Sequence, residues 1–162
     1  MKVSPTILKH FDDEFIRYGF TRNGFVWNKN RNDVVLLFEL SKSSWSDQYS
    51  LEAGVILKKL EGDNTKLNIA RSHFFRDVGH LTNDLSERKR IYELLNFENI
   101  EEDQIIKNIH GLFLLILKLR VFEIMDELCI PEKIVEYVRN RRYVELFWIR
   151  NVRASEIIEK LS

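Results

Sequence analysis

Residues 19–57, GFTRNGFVWNKNRNDVVLLFELSKSSWSDQYSLEAGVIL, decide the fold. They read as three short strands, Gly24 to Asn28, Asp33 to Ser41 and Gln48 to Leu57, each rich in aromatic or β-branched residues and bounded by Asn, Asp, Gly or Ser. The turn at 28–33 is polar and short enough to force an antiparallel connection. Val34 to Phe38 is nearly continuous apolar, the pattern of a central strand covered on both faces. In the third strand Leu51, Ala53, Val55 and Leu57 share one face, and Gly54 marks a bulge or the close approach of another element. Such a meander cannot stand alone, because its apolar face has to be covered by a second layer.

Upstream, Ser4-Pro5 is a helix start, and Ile7, Leu8, Phe11, Phe15 and Tyr18 recur at helical spacing until Gly19 supplies a left-handed stop. Downstream, Leu67 to Val78 reads as a fourth strand, with Ile69, Arg71, His73 and Phe75 on one side and Ala70, Ser72, Phe74 and Arg76 on the other. From Ser86 the period becomes helical. A short helix runs through Ile91 to Leu95, and a long one is expected over Ile105 to Leu128. Another follows Pro131, and a last covers Tyr143 to Leu161. The expectation is a single α+β domain over 1–162. An antiparallel sheet of about four strands (20–78) is packed by the N-terminal helix and a C-terminal helical group.

Composition narrows the function classes. Lys+Arg 25 balances Asp+Glu 25, so no overall field draws the chain to nucleic acid or an anionic membrane. Residues 1–13 lack the apolar stretch of a secretion signal, and the longest apolar run, Leu112 to Leu117, is far short of the ~20 residues of a membrane span. Cys129, the one cysteine, lies in an apolar run where an inert packed thiol is expected. These features together predict a soluble cytoplasmic protein.

No Gly-rich phosphate loop, Gly-x-Ser-x-Gly elbow, His-Glu-x-x-His or zinc-spaced Cys/His pair occurs, so no cofactor or metal is expected. The acidic cluster Glu98, Glu101, Glu102 and Asp103 suits the start of the long helix and lacks the spacing of a Ca²⁺ loop.

Two regions carry candidate binding residues. Ser41 to Asp47 is a hydroxyl-rich loop holding Lys42, Ser43 and Trp45. Trp45 either folds back onto the core, the commoner fate of a tryptophan, or is offered to a partner. Arg71, His73 and Arg76 either line a solvated edge or converge with Lys42 on a pocket between sheet and helices. A basic group, Arg139, Arg141, Arg142, Arg150 and Arg153, reads first as a solvated helical face and second as an anion-binding patch. Two function classes follow. The favoured one is a non-enzymatic protein-binding module, of the kind that neutralises a partner such as a toxin. The other is a small-molecule-binding or hydrolytic enzyme using that pocket.

The first half also shows a familiar order of motifs. Gly19-Phe20 is followed by Arg22 and Gly24, then Phe25-x-Trp27, a strand ending in Ser41-Lys42-Ser43, a strand with Gly54, and Ser72-His73-Phe74 with Gly79-x-Leu81. This order resembles the bacterial family catalogued as domain of unknown function 4304, over about residues 1–81. The Gln-Lys-Ser expected at the family's second strand is Leu40-Ser41-Lys42-Ser43 here. The resemblance implies the α+β arrangement and carries no activity to transfer.

Overall fold

The computed structural model describes residues 3–61, 66–140, 147–149 and 154–161. Helix α1 (Pro5–Ile16) starts on Pro5, with Ile7, Phe11 and Phe15 buried. Ser4 does not cap it through its side chain; its N–H donates instead to the Tyr49 hydroxyl at 3.1 Å. The helix ends in a Schellman arrangement, in which the Phe20 N–H reaches the Phe15 carbonyl and the Gly19 N–H that of Ile16. Gly19, at φ +83°, supplies the left-handed residue this closure needs. The Phe15 and Phe20 rings meet across it, 5.7 Å between centroids.

The meander follows as β1 (Thr21–Asn23), β2 (Val26–Arg31), β3 (Val34–Lys42) and β4 (Tyr49–Leu57). Two-residue turns join the first three strands, with Gly24 and Asn32 at positive φ. A short helix α2 (Lys58–Glu61) precedes β5 (Phe74–Asp77), and β6 (Trp148–Ile149) closes the far edge. The sheet order is β1-β2-β3-β4-β5-β6, and every neighbouring pair is antiparallel.

Three expectations change here. The fourth strand begins only at Phe74, because Ile69–Arg71 forms a 3-10 turn capped by the Asn68 side chain, which accepts from the Arg71 N–H. The long helix is two helices, α4 (Glu102–Lys118) and α5 (Val121–Glu127), separated by Arg120 at φ 58°. The last helical segment of the described residues is α7 (Ala154–Leu161), and Trp148–Ile149 upstream of it is strand. The remaining helices are α3 (Leu85–Leu94) and α6 (Pro131–Arg139).

The sheet has two unlike faces. Trp27, Phe38, Leu51, Val55 and Phe74 point into the main core with the helices, whereas Val35, Leu37, Ile56 and Ile69 form a small second cluster on the reverse side. Strand β3 is therefore covered on both faces, as its unbroken apolar run requires. Phe15 is the hub of the main core, its ring 4.8–4.9 Å from Trp27, Phe38 and Phe113. Gly54 permits the reverse-side packing: a Cβ there would lie 2.5 Å from Ser72 Oγ and 2.9 Å from Ile69 Cδ1. Among the described residues no helix is long and apolar enough to cross a membrane.

Candidate functional site

The β3–β4 loop is tied down at its base and open at its tip. Ser43 N donates to the Gln48 carbonyl at 2.9 Å, and Lys42 Nζ lies 3.4 Å from Asp47 Oδ1. Inside the loop, Trp45 N and Gln48 N donate to the Ser43 and Ser46 hydroxyls, so the serines take up amides that no ladder reaches. Beyond the strands, the loop is clamped to the end of α3. Phe97 N donates to the Asp47 carbonyl, Tyr49 N to that of Leu95, and the Gln48 side-chain amide to those of Tyr92 and Tyr49. Trp45, at the tip of this braced loop, is 95% exposed.

Next to the clamp an open cavity of about 390 Å³ is lined by Gln48, Leu85, Arg88, Lys89, Tyr92 and Asn96 among others. Leu85, the first residue of α3, is 73% exposed beside it. Asp84 caps α3 with its carboxylate, accepting from the Ser86 hydroxyl and from Glu87 N and Ser86 N, and these bonds, the hydroxyl's above all, hold its pKa below the usual carboxylate value. Arg88 is spent on backbone, donating to the Gly79 and Thr82 carbonyls.

Asp77, His80 and Tyr92 meet nearby. Asp77 Oδ1 accepts from Gly79 N at 2.8 Å and lies 3.8 Å from His80 Nδ1, which is 3.4 Å from the Tyr92 hydroxyl. Burial pushes the Asp77 carboxyl up, against the Gly79 bond and His80. Burial, and then the nearby Asp77 charge, push the Tyr92 phenol up, so at neutral pH it is a hydrogen-bonding group and no nucleophile. No sequence signal singled out these three: Asp77 and His80 meet within the local 3-10 turn at 78–80, and Tyr92 joins them only because α3 packs against that turn.

The other candidates do not converge. His73 is fully buried, its Nδ1 accepting from the Leu57 N–H at 2.9 Å, which makes it a core group that satisfies the end of β4. Lys42 stands opposite Tyr49 at the other end of the same strand. Eight residue steps at ~3.3 Å separate those ends by about 26 Å. Arg71 is exposed at the 3-10 turn. Arg76 sits opposite Ala53 on the helix-covered face, where burial and then Arg88 lower its pKa. Of the basic group, Arg139 is exposed at the end of α6, while Arg141, Arg142, Arg150 and Arg153 lie outside the described residues. Among the described residues, no group of three or more His, Cys, Asp or Glu is arranged to hold a metal ion.

A family model described as a domain of unknown function (DUF4304) matches residues 11–117, a span running from α1 through nearly all of α4. No curated protein and no solved structure matches the chain.

Proposed function

The chain belongs to the DUF4304 family, a domain of unknown function, and from that premise we propose that it is a non-enzymatic protein-binding module whose contact point is the Ser43–Asp47 loop. One observation carries the reading: a tryptophan left 95% exposed on a loop that is already braced. A tryptophan buries on the order of 150–250 Å² when covered, worth about 4–6 kcal/mol at ~25 cal/mol per Å². The fold forgoes that gain within its own core, and a partner that covers Trp45 recovers it. Because the loop is held by its serines, the Lys42–Asp47 pair and the α3 clamp, docking orders little new backbone. Exposed Leu85 and the cavity around Tyr92 extend the same end of the molecule as a rim. A module of this kind acts by covering a surface of its partner, and a toxin neutralised by occlusion is the partner class it suits; such a role requires no catalytic set.

The test is affinity capture from extract of the source organism with wild type and Trp45→Ala, then calorimetric titration of any protein recovered. A protein that binds wild type and loses about 2 kcal/mol or more, roughly thirtyfold in Kd, with the variant supports the reading. Recovery of background alone, or equal affinity for both, overturns it.

A further inference from the structure

The opposite end of β3 and β4 holds a second feature, independent of the tryptophan loop. There Val34 and Leu57 face each other across the sheet and, with Ile134 of α6, form the apolar wall of a cavity of about 290 Å³. All three are buried residues of the main core. The volume is roughly twice the ~150 Å³ that accommodates a benzene ring, enough for one ring or branched chain plus a head group.

The mouth is of a different character. It carries Asn32 and Asp33 from the β2–β3 turn and Lys59 from α2, all exposed. Asn32 is held at φ 55°, and the turn is anchored from both sides: Lys58 N donates to the Asp33 carbonyl, and Arg31 pairs with Asp126 of α5 at 3.0 Å. The Asp33 carboxylate and the Lys59 ammonium line one mouth, yet neither forms an ion pair among the described residues. An apolar pocket whose rim offers one anion and one cation fits a molecule with an apolar body and both charges at one end.

We propose that this cavity is a binding site for a free apolar amino acid. Its side chain would lie against Val34, Leu57 and Ile134, its carboxylate would meet Lys59, and its ammonium would meet Asp33, with Asn32 donating or accepting alongside. Fixed polar groups at the mouth orient the head, and the apolar wall supplies the remainder of the affinity.

Cys129, the single cysteine, lines the same cavity but is buried, and that burial pushes its thiol pKa up to about 11. A thiol reagent reaches it only through transient opening that an occupied cavity makes rarer, so its labelling rate reports occupancy. The experiment follows the rate at which DTNB labels Cys129 in the full chain, titrated with L-leucine or L-phenylalanine. Isocaproate, lacking the amine, and isoamylamine, lacking the carboxylate, are run beside them. Occupancy slows labelling by the factor one plus ligand over Kd, about threefold when the ligand is at twice its Kd. The expected result is saturable protection by at least one of the two amino acids. Each single-charge analogue protects at least about tenfold more weakly, and Lys59→Gln and Asp33→Asn each abolish most of the effect. Both positions are exposed, so the variants retain the fold. No protection by either amino acid, equal protection by an analogue, or undiminished protection in both variants overturns the proposal. Trp45→Ala leaves the protection unchanged, which separates this site from the protein-binding loop.

Discussion

His73 shows how a polar side chain can be essential to the fold while standing outside any site. Its Nδ1 is the acceptor for the Leu57 N–H, while the His73 backbone N–H donates to the Val55 carbonyl. His73→Ala would leave a buried amide without an acceptor and open a cavity, so a loss of about 2–4 kcal/mol in a urea melt is expected. A loss below about 0.5 kcal/mol would contradict that role. Trp45 is the converse case. It contributes no burial, and Trp45→Ala is expected to move stability by no more than about 0.5 kcal/mol. A larger drop would mean that the ring packs against the fold after all. Asp77 adds a pH signature. Burial holds its folded pKa above the unfolded carboxylate value of about 3.9, so the folded state favours the neutral acid. Its stabilising contribution is complete below the unfolded pKa and is lost as pH rises through the raised folded value. Asn at 77 keeps an oxygen for the Gly79 N–H without the buried charge. Asp77→Asn should therefore gain on wild type as pH rises from about 4 to 7. A stability difference that is flat over that range would reject the assignment.

Among the elements, the reverse face of the sheet depends on one absence of a side chain. The 3-10 turn at 69–71 lies so close to β4 that Ser72 and Ile69 occupy the space of a Cβ at residue 54. Gly54→Ala has to displace that turn, and a cost of about 1–3 kcal/mol is expected, read by thermal or urea unfolding. A neutral substitution would show the turn to be loosely held. The approach was legible as a glycine inside an apolar strand; what approached was not. Residues 67–73 alternate like a strand, yet the Asn68 side chain caps a 3-10 turn within them, and His73 bonds back to β4, a contact that only the neighbouring strand supplies. The division of α4 from α5 was hidden for a related reason. Apolar residues continue at helical spacing through the break, and Arg120 in the left-handed region carries no composition cue.

At the scale of the whole molecule, α1, the meander and α4 are bound into one unit by a single aromatic hub. Phe15 touches Trp27, Phe38 and Phe113, and Trp27 in turn donates its indole N–H to Asp12 of α1 at 3.0 Å. Phe15→Ala should lower stability by about 3–5 kcal/mol. Near-ultraviolet and far-ultraviolet circular dichroism should lose signal in one coincident transition. Two separated transitions would mean that sheet and helices unfold as independent units. The molecule places the two candidate sites at opposite ends of the β3–β4 pair, so each can be altered without disturbing the other.

By itself the sequence determined the α+β class, the antiparallel meander, α1 with its glycine stop, and the double coverage of β3. Each of these follows from short-range periodicity and from residues with restricted backbone preferences, which are properties of neighbours along the chain. Tertiary structure alone decided that Trp45 faces outward while His73 faces in. It also decided that Lys42, Arg71, His73 and Arg76 stay apart, and that Asp33 and Lys59 share the mouth of a cavity with Cys129 in its wall. Those are relations between residues distant in sequence, set by strand register and by which helix lies over which strand, and no local pattern encodes them.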